Sequence, residues 1–192
     1  MLRGIAVGVG LFVLLLVALV GLTANMGYMP MRADMAPSSI EANIAMMAVH
    51  RVSEREMGDT KNPLALNETN LRAGLHVYQQ NCAMCHGASD GKASNAALGF
   101  YVPSPQFATD GAEDDPEGAT AWKIQHGIRF TAMPAFGKSL TAAEVWQVTM
   151  LLKHLDKLPK PVDVAWKKLP SSAAPGTHAR DEHVPGMQME PK

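Results

Sequence analysis

Cys82, Cys85 and His86 stand in the order C-x-x-C-H, with Ala83 and Met84 between the thiols. Two thiols one helical turn apart can each add to a vinyl group of a single haem. A histidine directly after the second thiol then lies under the iron and offers an axial ligand. The pattern is the attachment signature of a c-type haem. The chain has no further cysteine, so a zinc site of four ligands lacks its second pair. A thioredoxin-like dithiol wants a βαβ setting, and the flanks here read as helical. One covalent haem c is the expected cofactor.

These residues need a helix leading into Cys82 and further elements to close around the ring. Asn67 can cap such a helix, with Leu71, Gly74, Leu75 and Tyr78 on one face at spacings of three and four. Past His86 the chain is rich in Gly and Ala, and Asp90-Gly91 signals a turn. Pro103 and Pro105 exclude a regular helix across 102–107. A short helix should follow, with Asp115 as its cap, Pro116 in its first turn and Gly127 at its end. Residues 128–140 read as irregular and contain Met133-Pro134. The last helix is expected at 141–155, opened by a Thr141/Glu144 capping box, with Val145, Val148, Leu152 and Leu155 as its buried stripe. Pro159, Pro161 and Pro170 are expected to end regular structure, leaving 159–192 as a Pro-rich, disordered tail.

The other end carries a different signal. Residues 4–24 hold no charge and would span roughly 31 Å as a helix, enough for the hydrocarbon core of a bilayer. Arg3 before them favours a cytoplasmic N-terminus. The alternative is a cleaved signal peptide, but about 7–15 apolar residues is usual there, and bulky Leu22 sits poorly for a cut after Ala24. An uncleaved anchor, residues 1–25, is the expectation. Tyr28 suits the membrane interface. Met26, Met29, Met31 and Met35 make either a greasy linker or a thioether cluster for Cu(I), the linker being preferred. Within a linker of 26–66, residues 38–57 read as an amphipathic helix. It has Ser38 and Glu41 at capping-box spacing and Ile40, Ile44, Met47 and Ala48 on one face. It could lie on the membrane, pack on the haem domain or dock a partner.

From Gly74 and Tyr78, through C-x-x-C-H and Pro105-Gln106-Phe107, to Gly127-Ile128, Met133-Pro134-Ala135-Phe136 and Leu140-Thr141-x-x-Glu144-Val145-Trp146, the chain resembles class I monohaem cytochromes c of the small bacterial membrane-anchored kind. The likeness covers about residues 67–158. It implies a mainly α fold, three to four helices around a covalent haem, here preceded by one transmembrane helix. In that family a glycine and an aromatic at the Gly74 and Tyr78 offsets let the first and last helices cross closely. Leu151 stands where many relatives carry a Tyr, and an apolar contact there should preserve the crossing.

The resemblance also implies roles. Cys82 and Cys85 form the thioethers, His86 is the proximal ligand, and the Pro105 carbonyl accepts a hydrogen bond from its other nitrogen. Met133 is the distal ligand, so the metal-binding pair is His86 and Met133. Met29-Pro30 lies by the membrane, Met84 inside the motif and Met150 in a helix, whereas Met133 sits in a loop with reach. A core methionine is the bland alternative at Met133. His126 is the rival sixth ligand, giving a bis-His haem. Trp122 and Arg129 are candidate donors to the haem propionates, the alternatives being a packing Trp and a solvated Arg.

Met ligation favours electron acceptance and fills the sixth position, so the expectation is a one-electron carrier rather than an enzyme, with no small-molecule substrate. It would be tethered to the inner membrane with its haem domain in the periplasm. It would serve a respiratory chain or act as the redox subunit of an oxidoreductase, with protein redox partners as donor and acceptor. A quinol-oxidising complex or a terminal oxidase is a natural neighbour. A net charge of −1 gives no reason to expect nucleic acid. The rivals are a haem enzyme or gas sensor with a labile Met, and a copper-handling module using the Met-rich and His/Met-rich ends. Asp110, Glu113, Asp114, Asp115 and Glu117 form an acidic cluster that is either a solvated loop or a steering surface for a basic partner. His178, His183, Met187 and Met189 in the tail are expected to have no function.

Overall fold

The computed structural model describes residues 2–112 and 114–170. Expectations for the 171–192 tail, including His178, His183, Met187 and Met189, and for Glu113 lie outside the described residues. The chain divides into two units, Met1–Ala33 and Asp34–Lys192.

The first unit is built on helix α1, Leu2–Asn25. Its residues from Ile5 to Leu22 are exposed apolar side chains. An exposed all-apolar surface is costly in water and favourable in lipid. The stretch Arg3–Asn25 is long and apolar enough to cross a membrane. The helix closes at Gly27, in the left-handed region at φ 75°, with the Gly27 and Tyr28 N–H groups donating to the Ala24 and Thr23 carbonyls. That conformation is open to glycine at little cost. Met26, Met29, Met31 and Met35 are all exposed.

The second unit is helical throughout its described residues, with α2 Ser39–Met57, α3 Glu68–Asn81, α4 Ala83–His86, α5 Asn95–Leu98, α6 Phe107–Asp110, α7 Glu117–His126, α8 Ala142–Leu152 and α9 Lys160–Lys167. Asn67 caps α3 through its side chain, which accepts from the Asn70 N–H at 2.9 Å. Leu71, Leu75 and Tyr78 of α3 are buried against Val145, Val148, Leu151 and Leu152 of α8. Each such side chain contributes roughly 1.5–3 kcal/mol on burial. The two helices cross at Gly74, where a Cβ would run into the Gln147 carbonyl and meet the Leu151 Cβ at 3.2 Å. Leu151 is itself fully buried, so the apolar contact expected at the crossing is kept. Ala121 and Ile124 of α7 complete this face of the core.

Helix α8 opens with the full capping box. The Thr141 hydroxyl takes the Glu144 N–H at 3.3 Å, and the Glu144 carboxylate takes the Thr141 N–H at 2.8 Å. The bonds that the carboxylate accepts from the Thr141 N–H and, at 2.8 Å, from the Thr141 hydroxyl hold the Glu144 carboxyl below its ordinary value of 4.5. Because the folded value is the lower one, the box contributes fully above the ordinary value and is lost as the pH falls through the depressed one. Glu144→Gln is expected to flatten the acid limb of the stability curve below about pH 5, measured as the urea midpoint against pH. An unchanged acid limb would show that the box contributes nothing there. The helix ends at Leu152, earlier than expected, and Leu155 falls half-buried in a 3-10 turn at Leu155–Lys157.

Three sequence expectations are corrected. Regular structure does not stop at Pro159. Pro159 occupies the N-cap of α9 and Pro161 its first turn, where the missing N–H costs nothing. Val162 and Trp166, one turn apart, are then buried, and the Trp166 ring meets the edge of Tyr78 at 5.2 Å. The second correction is at α7, which Asp115 does not cap. Its carboxylate pairs with Lys123 at 2.7 Å, its carbonyl accepts from Lys153 Nζ, and Pro116 holds the cap position without a side-chain bond. The third concerns α2. Ser38 caps it by accepting the Glu41 N–H at 3.2 Å, but the Glu41 carboxylate is taken by the Tyr101 hydroxyl at 2.8 Å rather than closing a box. Ile40, Ile44 and Met47 are exposed, and Ser53 is the fully buried residue. Helix α2 packs on α7, so of the three placements open to it in sequence it packs on the haem domain, through its C-terminal half. The Met57 carbonyl lies where a Cβ on Gly118 would stand.

Candidate haem site

The attachment turn grows out of the end of α3. The Cys82 N–H donates to the Tyr78 carbonyl at 2.8 Å, and the Cys85 and His86 N–H groups both donate to the Cys82 carbonyl, at 3.0 and 2.9 Å. Cys82, Cys85 and His86 are thereby held on one tight turn. The two cysteines are not joined in a disulfide. Burial, with Cys85 nearby, pushes the Cys82 thiol up to about 12, and burial raises Cys85 as well. Before attachment Cys82 would be held as the neutral thiol, which would supply both the sulfur and the proton for addition to a haem vinyl group.

His86 is oriented before any metal is considered. Its Nδ1 lies 2.9 Å from the Pro105 carbonyl oxygen. A carbonyl there accepts only from N–H, so the proton sits on Nδ1 and the ligating lone pair on Nε2. Burial lowers the His86 pKa, with the Pro105 bond acting in opposition. The neutral ring, the form that binds metal, is favoured. Phe107 stacks on the imidazole at 4.4 Å and 12°. The 103–107 segment also straps the turn itself. The Cys85 carbonyl accepts from the Ser104 hydroxyl at 2.6 Å and from Gln106 Nε2 at 3.0 Å. Tyr78, fully buried, donates to the Gly87 carbonyl at 2.7 Å, with the His86 carbonyl at 3.1 Å. Ser104 was not legible as a site residue, since a serine between two prolines reads only as loop. Two thiols on one turn beside a histidine tautomer with Nε2 as acceptor form a donor set that fits a covalent haem.

The Met133 loop is tied to the end of α7. Ile128 N–H donates to the Met133 carbonyl at 3.2 Å, Phe136 N–H to Ile124 at 3.1 Å and Gly137 N–H to Gln125 at 2.9 Å. The last two satisfy carbonyls that a helix end leaves without intrahelical partners. Gly127 turns the chain at φ 65°, and a Cβ there would lie 2.6 Å from the Pro134 carbonyl carbon and 2.7 Å from the Ala135 nitrogen. Within the loop the Thr131 hydroxyl donates to the Ile128 carbonyl at 2.7 Å and accepts the Met133 N–H at 3.2 Å. Met133, Cys82, Ala83 and Phe107 all pack, partly buried, against the same core cluster.

The remaining candidates have the following surroundings. Trp122 gives its indole N–H to Glu56 of α2 at 2.7 Å. His126 lies against the Trp122 ring at 5.1 Å, and Arg129 is exposed. Much of the acidic cluster has structural partners. Asp115 pairs with Lys123, Glu117 accepts the Asn62 N–H at 3.2 Å, and Asp110 accepts the Gln106 N–H at 2.7 Å. Asp114 is exposed. Among the described residues no group of three or more His, Cys, Asp or Glu is placed to hold a metal ion.

Residues 69–150 match the family model described as cytochrome C oxidase, cbb3-type, subunit III. No curated protein and no solved structure matches the chain. The matched stretch runs from the first turn of α3 through the attachment turn and the Met133 loop into α8, the elements that carry the site. Residues 69–150 are a class I monohaem c-type cytochrome domain, which carries one covalent haem and serves electron transfer.

Proposed function

We propose that the protein is a one-electron carrier tethered to the cytoplasmic membrane by α1, with its haem domain on the outer face. It would serve a respiratory chain or act as the redox subunit of an oxidoreductase complex, a terminal oxidase being a natural electron acceptor. The observation that supports this reading is a His86 ring pre-oriented by Pro105, together with a Met133 loop pinned at both ends. A bound haem would supply an Fe(III)/Fe(II) couple. Cys82 and Cys85 would hold it covalently, and His86 Nε2, on a ring fixed by Pro105 and Phe107, and the Met133 thioether would serve as its iron ligands. A thioether ligand would favour the reduced state, and with both protein ligands in place a substrate would find no open coordination position.

The experiment is spectroscopic, on full-length protein from its membrane. The oxidised form should show Fe(III)–thioether charge-transfer absorption, the reduced form should resist CO, and the redox titration should follow a one-electron curve. Rapid CO binding by the parent protein would instead favour a sensor or haem enzyme. The tether has its own check. Residues 4–24 are expected to persist on the mature chain, as read by N-terminal sequencing. A mature chain starting at Asn25 or later would make the protein a released carrier.

A further inference from the structure

We propose that Glu56 is a positioning residue for the sixth ligand, acting through Trp122 and helix α7 on the Met133 loop. This rests on the reading that Met133 ligates the iron. Glu56 lies on α2, outside the matched residues 69–150, so nothing in the matched domain assigns it a role.

The contacts form an unbroken line. At one end, Glu56 Oε2 accepts the Trp122 N–H at 2.7 Å, a bond strengthened by the carboxylate's charge. The α2 end and the loop after it grip the start of α7 as well. The Met57 carbonyl packs into the space left by Gly118, and the Asn62 N–H donates to the Glu117 carboxylate at 3.2 Å. Asn62 Nδ2 reaches on to the Trp146 carbonyl at 2.9 Å. At the other end, the last turn of α7 holds the Met133 loop through the Ile124 and Gln125 carbonyls. Trp122 stands within one turn of both. A helix of this length moves as a unit, so a shift of α7 along or about its axis is passed to the backbone on either side of Met133. Glu56 sets that position from outside the domain.

The indole has one N–H and can serve one strong acceptor. Glu56 takes it here, and a haem propionate is the competing acceptor. The two uses give different results on substitution.

The test uses full-length, haem-loaded protein and the affinity of its oxidised form for imidazole, which must displace Met133 to bind. The Fe(III)–thioether absorption is followed in parallel. Glu56→Ala and Trp122→Phe are each expected to raise imidazole affinity about tenfold, and the double variant no further than either alone. Glu56→Gln keeps an acceptor and should stay near the parent. Glu54→Ala, an exposed neighbour on the same helix, should match the parent. Parental imidazole affinity in Glu56→Ala overturns the proposal, as does an effect of Trp122→Phe alone, which assigns the indole to a propionate. Additive effects in the double variant overturn it too. A lower unfolding midpoint with unchanged imidazole affinity reduces Glu56 to a stabilising contact and also overturns it. A parent lacking the thioether absorption removes Met133 as ligand and the proposal with it. A parent that has the absorption, with Glu56→Ala unresponsive, removes the proposal alone.

Discussion

Met133→Ala is expected to leave the haem on the protein and to change almost everything else about its iron. Cys82 and Cys85 are untouched, so the haem stays with the chain through denaturation. His86 keeps its Pro105 bond and its Phe107 stack, so the proximal side is unaltered. The loop keeps its backbone ties, since the Met133 carbonyl and N–H bonds to Ile128 and Thr131 do not involve the thioether. What is lost is the sulfur. The Fe(III)–thioether absorption should vanish, and CO should bind the reduced variant quickly. The potential should fall by on the order of 100 mV or more, a modest share of the ~0.8 V that axial ligands span in haem proteins. Water or a histidine in the vacated place favours Fe(III) more than a thioether does. His126 is the histidine to watch, although its ring lies against Trp122. A Met133→Ala spectrum identical to the parent's would remove Met133 as ligand and shift the reading toward a bis-His carrier, a sensor or a haem enzyme.

Gly74→Ala is expected to be a severely damaging single-methyl change at the α3–α8 crossing. The added Cβ would overlap the Gln147 carbonyl group and press on the Leu151 Cβ at 3.2 Å. A backbone carbonyl cannot rotate aside as a side chain can, so α3 and α8 must separate. That loosens the packing of Leu71, Leu75 and Tyr78 against Val148 and Leu151, all of them buried. The cost is put at about 3 kcal/mol or more, at or beyond the upper end for overpacking. In a domain whose total stability is roughly 5–15 kcal/mol, this should lower the thermal midpoint by about 10 °C. Differential scanning calorimetry of the haem-loaded protein measures it. Gly99→Ala is the control, because a Cβ there meets nothing nearer than the Ala96 carbonyl at 3.5 Å. Equal midpoints for the two variants would mean that the crossing has slack the packing does not show.

The features legible in the sequence were those that local chemistry dictates. C-x-x-C-H is readable because covalent attachment demands its ligands within one turn. The Thr141/Glu144 box is readable because a capping bond joins residues three apart. Helix α1 is readable because an unbroken apolar run of this length is a local property of the sequence. The crossing at Gly74 was accessible by resemblance, and the close approach of Gln147 supplies its physical cause. Local rules failed where one residue type serves two purposes. A proline near a helix boundary can stop a helix or start one. At Pro159 and Pro161 the burial of Val162 and Trp166 against the α3–α8 core decided for a start. An aspartate before a helix can cap it or pair elsewhere, and Lys123, eight residues on, claimed Asp115. In α2 the periodicity put Ile40, Ile44 and Met47 on one apolar face and left its placement open, yet these residues are exposed, Ser53 is the fully buried one, and the helix packs on α7. The bond from Glu56 to Trp122 joins residues 66 apart in sequence. No spacing rule reaches that far, because such a contact exists only once the two helices have been brought together by the rest of the fold.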